Sequence, residues 1–215
     1  MQNRVIQCTH PTANSNSCKS GPEPRAASGA RELNDSAHRK NGALRFHGGL
    51  YNLNYGGTSD MSPEFMKRAI ALALENVRSG SGGPFAALIV KEGRIVAEGT
   101  NRVTSTNDPT AHAEVVAIRE ACRVLADFQL TDCDLYTTCE PCPMCLGAIY
   151  WARPARVYYA ATAADAASAG FADAFIYDEL KIAPDGRRIP MAQLLREDSL
   201  PVFLAWKQQE NKTPY

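Results

Sequence analysis

Over the first sixty residues the apolar positions keep no sustained period; from Ser62 onward helical and strand spacings alternate. Ser62-Pro63-Glu64 sets an N-cap hydroxyl, a proline at the first helical position and an early acid at a helix start. Phe65, Ala69, Leu72, Ala73 and Val77 carry that helix to the glycine cluster at Ser79–Gly83. Phe85–Val90 is a continuous apolar run, Lys91–Arg94 turns the chain at Gly93, and Ile95–Glu98 returns, which predicts a hairpin. Val103–Thr110 is a polar loop and His112–Leu125 a helix with one buried face. A third strand is expected over Asp134–Thr138, a cysteine-bearing helix over Pro141–Trp151, and a fourth strand over Arg156–Ala160. Asp165–Glu179 reads as short helices flanking a loop at Gly170, Ile189–Leu195 as a fifth strand, and Leu200–Gln209 as a final helix. The order αββαβαβ(α)βα predicts an α/β fold: three layers, α/β/α, around a mixed five-stranded sheet.

Composition divides the chain in two. Residues 1–60 are rich in Asn, Ser, Gly and Pro and hold too little apolar surface to offset the entropy of ordering, so they read as a disordered polar N-terminal extension. Their arginines fit a targeting or interaction tail, yet no apolar signal-peptide core accompanies them. Met61 opens the ordered pattern directly, as a later translation start would, and the composition favours a dispensable tail. Cys8, His10, Cys18, His38 and His47 are spaced irregularly and receive no role. Residues 61–215 then form one domain.

Charge and cysteine usage narrow the classes of function. From Met61 onward sixteen Lys/Arg face nineteen Asp/Glu, a net charge of −3. A protein that grips a phosphate backbone carries a basic excess, so this favours a small uncharged substrate and no nucleic acid. No run of about eighteen apolar residues is present, so no transmembrane helix is expected. The seven cysteines are odd in number and three crowd at Cys139, Cys142 and Cys145, which fits metal chemistry in a reducing, cytoplasmic setting better than disulfides.

Two short segments carry the chemistry: His112-Ala113-Glu114 and Pro141-Cys142-Pro143-Met144-Cys145. His112, Cys142 and Cys145 supply one imidazole and two thiolates, the three protein ligands of a zinc site that keeps a fourth position for water. A closed structural site needs a fourth protein ligand, and His112 is the only histidine after residue 60. Both segments fall at predicted helix starts, where exposed N–H groups favour thiolate over thiol and where residues i and i+3 point the same way. Glu114 is left as a general acid/base beside a metal that makes water acidic. The H-x-E…P-C-x-x-C pattern is that of zinc-dependent nucleobase deaminases. Cys139 precedes the second helix and reads as a buried structural thiol, with Cys122 and Cys133 as core residues.

Those segments, continued as Cys139–Ile149, resemble the cytidine deaminase-like superfamily. Within it, Gly82-Gly83-Pro84-Phe85, Asn107-Asp108-Pro109-Thr110, Ile149–Pro154, Asp165-Ala166-Ala167 and Ala169–Asp173 resemble the bacterial guanine deaminases, over about residues 61–215. The resemblance implies a zinc-dependent deaminase domain that binds one Zn2+ per subunit and hydrolyses guanine to xanthine and ammonia. It implies that Asn101 hydrogen-bonds the purine, that Phe85 packs on the base with Phe171 nearby, and that Ala113 lines the substrate site. It implies that Asp173 recognises the base and assists Glu114 in proton transfer. Tyr215 is implied to close the site of the neighbouring subunit, in a homodimer with a swapped C-terminal segment. Ala172 departs from the family's Gly-Phe-Asp-Asp run, but the second acid is retained as Asp173.

Two rivals remain open at this stage. Guanosine, or an adenosine within tRNA, is an alternative substrate; the tRNA enzymes want a basic groove that the charge balance does not advertise. A non-catalytic zinc-stabilised binding module is the other, and a carboxylate retained beside three ligands argues against it.

Overall fold

The computed structural model describes residues 62–214, together with the backbone of two short strands at residues 43–46 and 49–52. These strands, β1 (Ala43–Phe46) and β2 (Gly49–Asn52), pair antiparallel from Phe46↔Gly49 to Ala43↔Asn52, inside the stretch that composition assigns to disorder. The remaining residues up to 61, and Tyr215, lie outside the described residues. Residues 59–215 make up a unit of their own, described from here on.

Helix α1 (Pro63–Arg78) begins where proline at its first position predicts. Its buried stripe is Ala69, Ala73 and Asn76, so a polar residue takes the place expected for Val77, which lies half exposed. Strands β3 (Ala86–Lys91) and β4 (Arg94–Thr100) form the predicted hairpin, with a bulge where Ile89 faces Ala97 but Val90 faces Ile95. A single helical turn, α2 (Val103–Thr106), occupies part of the segment expected as loop. After α3 (Ala113–Leu125), strand β5 (Cys133–Cys139) runs antiparallel to β3. Helix α4 (Pro143–Ala152) then crosses over so that β6 (Arg156–Ala161) joins parallel to β5.

The sheet order is β4-β3-β5-β6, four strands of mixed direction rather than the five expected. The missing member is Ile189–Leu195, which has no strand geometry. Pro190 cannot donate to a ladder, Leu195 sits at φ 51°, and Ile189 and Leu194 are each more than 80% exposed. Beyond β6 the chain is instead helical: α5 (Ala163–Ser168), α6 (Ala174–Lys181), a 3-10 turn at Pro184–Gly186 and α7 (Arg196–Gln208).

Alternation along the strands builds the layers. Leu88, Val90 and Tyr136 point to one face and pack with Ala69, Phe65 and Leu72 of α1. Ala87, Ile89 and Leu135 point to the other, against Ala113, Ala117, Ile118 and Ala121 of α3 and Ile149 and Ala152 of α4. The alanines let α3 lie close on β4. At Gly99 the approach is closest: a Cβ there would stand 2.3 Å from the Ala113 carbonyl oxygen and 2.5 Å from the Ala117 nitrogen. Backbone cannot yield as a flexible side chain does, so this contact fixes the start of α3. Gly99→Ala should therefore cost about 1–3 kcal/mol of unfolding free energy. Urea denaturation checks this, and an unshifted midpoint would mean that α3 and β4 separate without cost.

Candidate metal centre

Two helices that share a sheet face begin side by side. His112 is the N-cap residue of α3, and Cys142 that of α4, with Pro143 preset for the first helical position. The Cys145 backbone N–H points at Cys142 Sγ, 3.5 Å away. His112 Nδ1 lies 3.5 Å from Cys142 Sγ and 3.5 Å from Cys145 Sγ. All three ligand atoms fall within 4.8 Å of one another, the only such cluster of three among the described residues. Cys139, though near in sequence, turns its thiol to the Thr162 carbonyl oxygen at 3.5 Å and stays outside the cluster.

The donor set fits zinc. A tetrahedral ion with bonds of about 2.0 Å to nitrogen and about 2.3 Å to sulfur spaces those two ligands about 3.5 Å apart, as found here. Hydrogen bonding from Cys145, then from His112 and the Cys145 backbone N–H, holds the Cys142 thiol down at about 4. Cys145 is pushed far above the usual thiol range by its bond to Cys142 and by burial. His112 is raised, chiefly by its bond to Cys142, with Glu114 and Asp173 adding their negative fields. A divalent cation between them would favour the thiolate form of both cysteines.

Glu114, two residues into α3, is buried and is not a member of the cluster. Its Oε1 accepts a hydrogen bond of 2.9 Å from Thr137 Oγ1 on β5, and its Oε2 lies 3.4 Å from Cys145 Sγ. Burial raises its pKa against the lowering effect of its hydrogen bonds. A carboxylate clamped at one oxygen by Thr137, with the other in contact with the ligand Cys145, is placed to carry protons.

The residues assigned to the base arrange themselves less completely. Phe85 and Phe171 meet edge to face, with ring centroids 4.9 Å apart. Asn101 is buried at the end of β4; its Oδ1 accepts from the backbone N–H groups of Gly83 and Val103, which leaves its NH2 end as the available donor. Asn76, on the polar break in the α1 stripe, donates to the carbonyls of Gly83 and Asn101 and so ties this loop to the helix. Gly82 permits that tie, because a Cβ there would lie 2.0 Å from the Asn101 carbonyl oxygen. Asp173 stands at the N-cap of α6 but makes no capping hydrogen bond, and its charge acts on His112. Ala113 is wholly buried, backbone included. Tyr215 lies outside the described residues. Sequence reasoning passed over Asn76 and Thr137, each a polar residue on an otherwise apolar face.

Three protein ligands with a free carboxylate beside them define a hydrolytic zinc site, and the two segments that build it are those of the nucleobase deaminases. Residues 60–161 match the family model for the cytidine and deoxycytidylate deaminase zinc-binding region. A guanine deaminase of Bacillus subtilis is 60% identical over 151 residues, covering 70% of this chain and 97% of that protein. The crystal structure of a Bacillus subtilis guanine deaminase superposes with a TM-score of 0.71 at 58% identity, over 73% of this chain and 99% of that one. A tRNA-specific adenosine deaminase of Agrobacterium fabrum is 46% identical over 42% of this chain and 61% of its own length. The chain belongs to the cytidine and deoxycytidylate deaminase zinc-binding family, among its guanine deaminases.

Metal analysis of the purified protein should find about one zinc per chain. Cys145→Ala should lose most of it while Cys139→Ala keeps it; zinc retained by the first variant would remove Cys145 from the ligand set.

Proposed function

We propose that this protein hydrolyses guanine to xanthine and ammonia. The observation that carries this is the buried, non-ligating Glu114 beside a three-ligand cluster, in a chain matching a guanine deaminase along 97% of that relative's length. His112, Cys142 and Cys145 would hold a zinc ion, which when bound would supply Lewis acidity that makes water nucleophilic near neutral pH. Glu114 would take one proton from the water through Oε2 and deliver it to the purine ring nitrogen as oxygen bonds the amine-bearing carbon, then carry the second proton from the new hydroxyl to the exocyclic amine, whose C–N bond breaks to release ammonia. Thr137 holds the other oxygen still meanwhile.

Base recognition falls to groups with matching polarity. The NH2 end of Asn101 donates to an acceptor on the ring edge, and Asp173, unspent at its helix end, accepts from a ring N–H or exocyclic amine. Phe85 and Phe171 pack on the base, and Ala113 borders it. Adenine bears an amine where guanine bears a carbonyl, so it leaves buried polar groups unpaired at about 1–3 kcal/mol each. The tRNA reading receives less support, because that relative is matched over a smaller part of both chains and the domain is acidic.

The active form in this reading is a homodimer with the C-terminal segment exchanged, Tyr215 closing the partner's site. What supports it is an apolar surface that one chain leaves uncovered: Tyr150, Trp151, Phe203 and Leu204 are each more than half exposed. The free cysteines, five among the described residues, suit a cytoplasmic enzyme. Among these residues no helix is long and apolar enough to cross a membrane.

Ammonia release measured with guanine, guanosine, adenine and cytosine should be fast with guanine alone. Glu114→Gln should keep its zinc and lose activity by about a hundredfold or more; full activity in that variant would end the assignment of Glu114. Removing Pro214 and Tyr215 should reduce turnover with zinc retained, and unchanged turnover would take Tyr215 out of the site.

A further inference from the structure

Strand β5 presents Leu135, Thr137 and Cys139 to the layer filled by α3 and α4. The neighbours on that face are alanines, Ile89 and Ile149, and Thr137 is only 1% exposed. Valine has the same shape, suits a strand equally well and brings no hydroxyl to desolvate. Something must therefore repay the Thr137 hydroxyl, and its side-chain partner is Glu114 Oε1 at 2.9 Å. The adjacent Thr138 is different: its hydroxyl accepts from the Ala86 backbone N–H at 3.1 Å and serves the β3–β5 junction.

We infer that Thr137 is a positioning residue for deamination, holding Glu114 Oε1 so that Oε2 faces the metal ligands. The inference rests on the deaminase reading above and extends it to one residue of the sheet. Geometry carries it. Glu114 has two torsions beyond its β-carbon that α3 does not fix, and Thr137 is the one hydroxyl among its described partners. Clamping one oxygen from β5 while Cys145 lies 3.4 Å from the other determines which oxygen does the proton transfer. Because β5 also leads directly into the Cys139–Cys142 segment, base and ligands are set from one rigid strand.

Thr137→Val and Thr137→Ser test this in the full-length, zinc-loaded protein. The valine variant should keep its zinc and its KM for guanine while kcat falls by about tenfold to a hundredfold. The serine variant, which restores the hydroxyl, should recover most of kcat. A crystal structure of the valine variant should show the Glu114 carboxylate turned from its place beside Cys145. An unchanged kcat, a serine variant no better than valine, or Glu114 unmoved in the valine crystal would each overturn the inference. If the wild-type protein released no ammonia from guanine, the substrate reading would fall, and the position of Glu114 in the valine crystal would still decide the role of Thr137.

Discussion

The close seating of α3 on β4 is the contact on which the rest depends. Gly99 and the run of Ala113, Ala117 and Ala121 remove the side-chain bulk that ordinarily separates a helix from a sheet. The start of α3 is thereby pinned by backbone, and the start of α4, on the same face, lies within reach of it. His112 and Cys142 are N-cap residues, so their side chains leave the helices where backbone N–H groups have no partner of their own. A longer side chain at residue 99 would move an entire ligand-bearing helix rather than one atom.

Bringing two thiols and an imidazole this close has an electrostatic cost that only a cation offsets. Donors from Cys145 and His112 hold the Cys142 thiol low, while its bond to Cys142 and burial push Cys145 high. The same burial that favours metal binding also raises Glu114, which needs a hydroxyl partner to stay in place in an apolar layer. Metal site and proton carrier are thus products of one environment, low in polarity and entered by two helix ends.

How much of this the sequence reveals depends on whether the signal is local. The helix start at Pro63, the β3–β4 hairpin and the ligand set are local and stand where the pattern puts them, while α4 begins at Pro143, two residues after the expected Pro141. Asn76 and Thr137 evade such reading, since a polar residue on an apolar face looks like a break in period until its partner from another element is known. Ile189–Leu195 errs in the opposite way. Its apolar character is genuine, but a strand requires a neighbouring edge, and Pro190 with Leu195 at positive φ supplies neither donor nor extended backbone.

That misread segment bears on how chemistry and specificity are divided. Everything needed to activate water is enclosed by one chain: Cys145 and Glu114 are buried, and His112 and Cys142 half so. Of the groups assigned to the base, Asn101 is buried while Phe171 is exposed. Phe171, Phe175 and Tyr177 of the β6–α7 region are each at least 40% exposed, and beyond them Ile189, Leu194 and Leu195 lie open. A purine held by hydrogen bonds needs water kept away from them, because exposed polar contacts are screened and discriminate little between bases. The exposed apolar residues of the C-terminal region are the surface that the proposed exchange between subunits would cover, and in that reading the exchange bears on specificity as much as on stability.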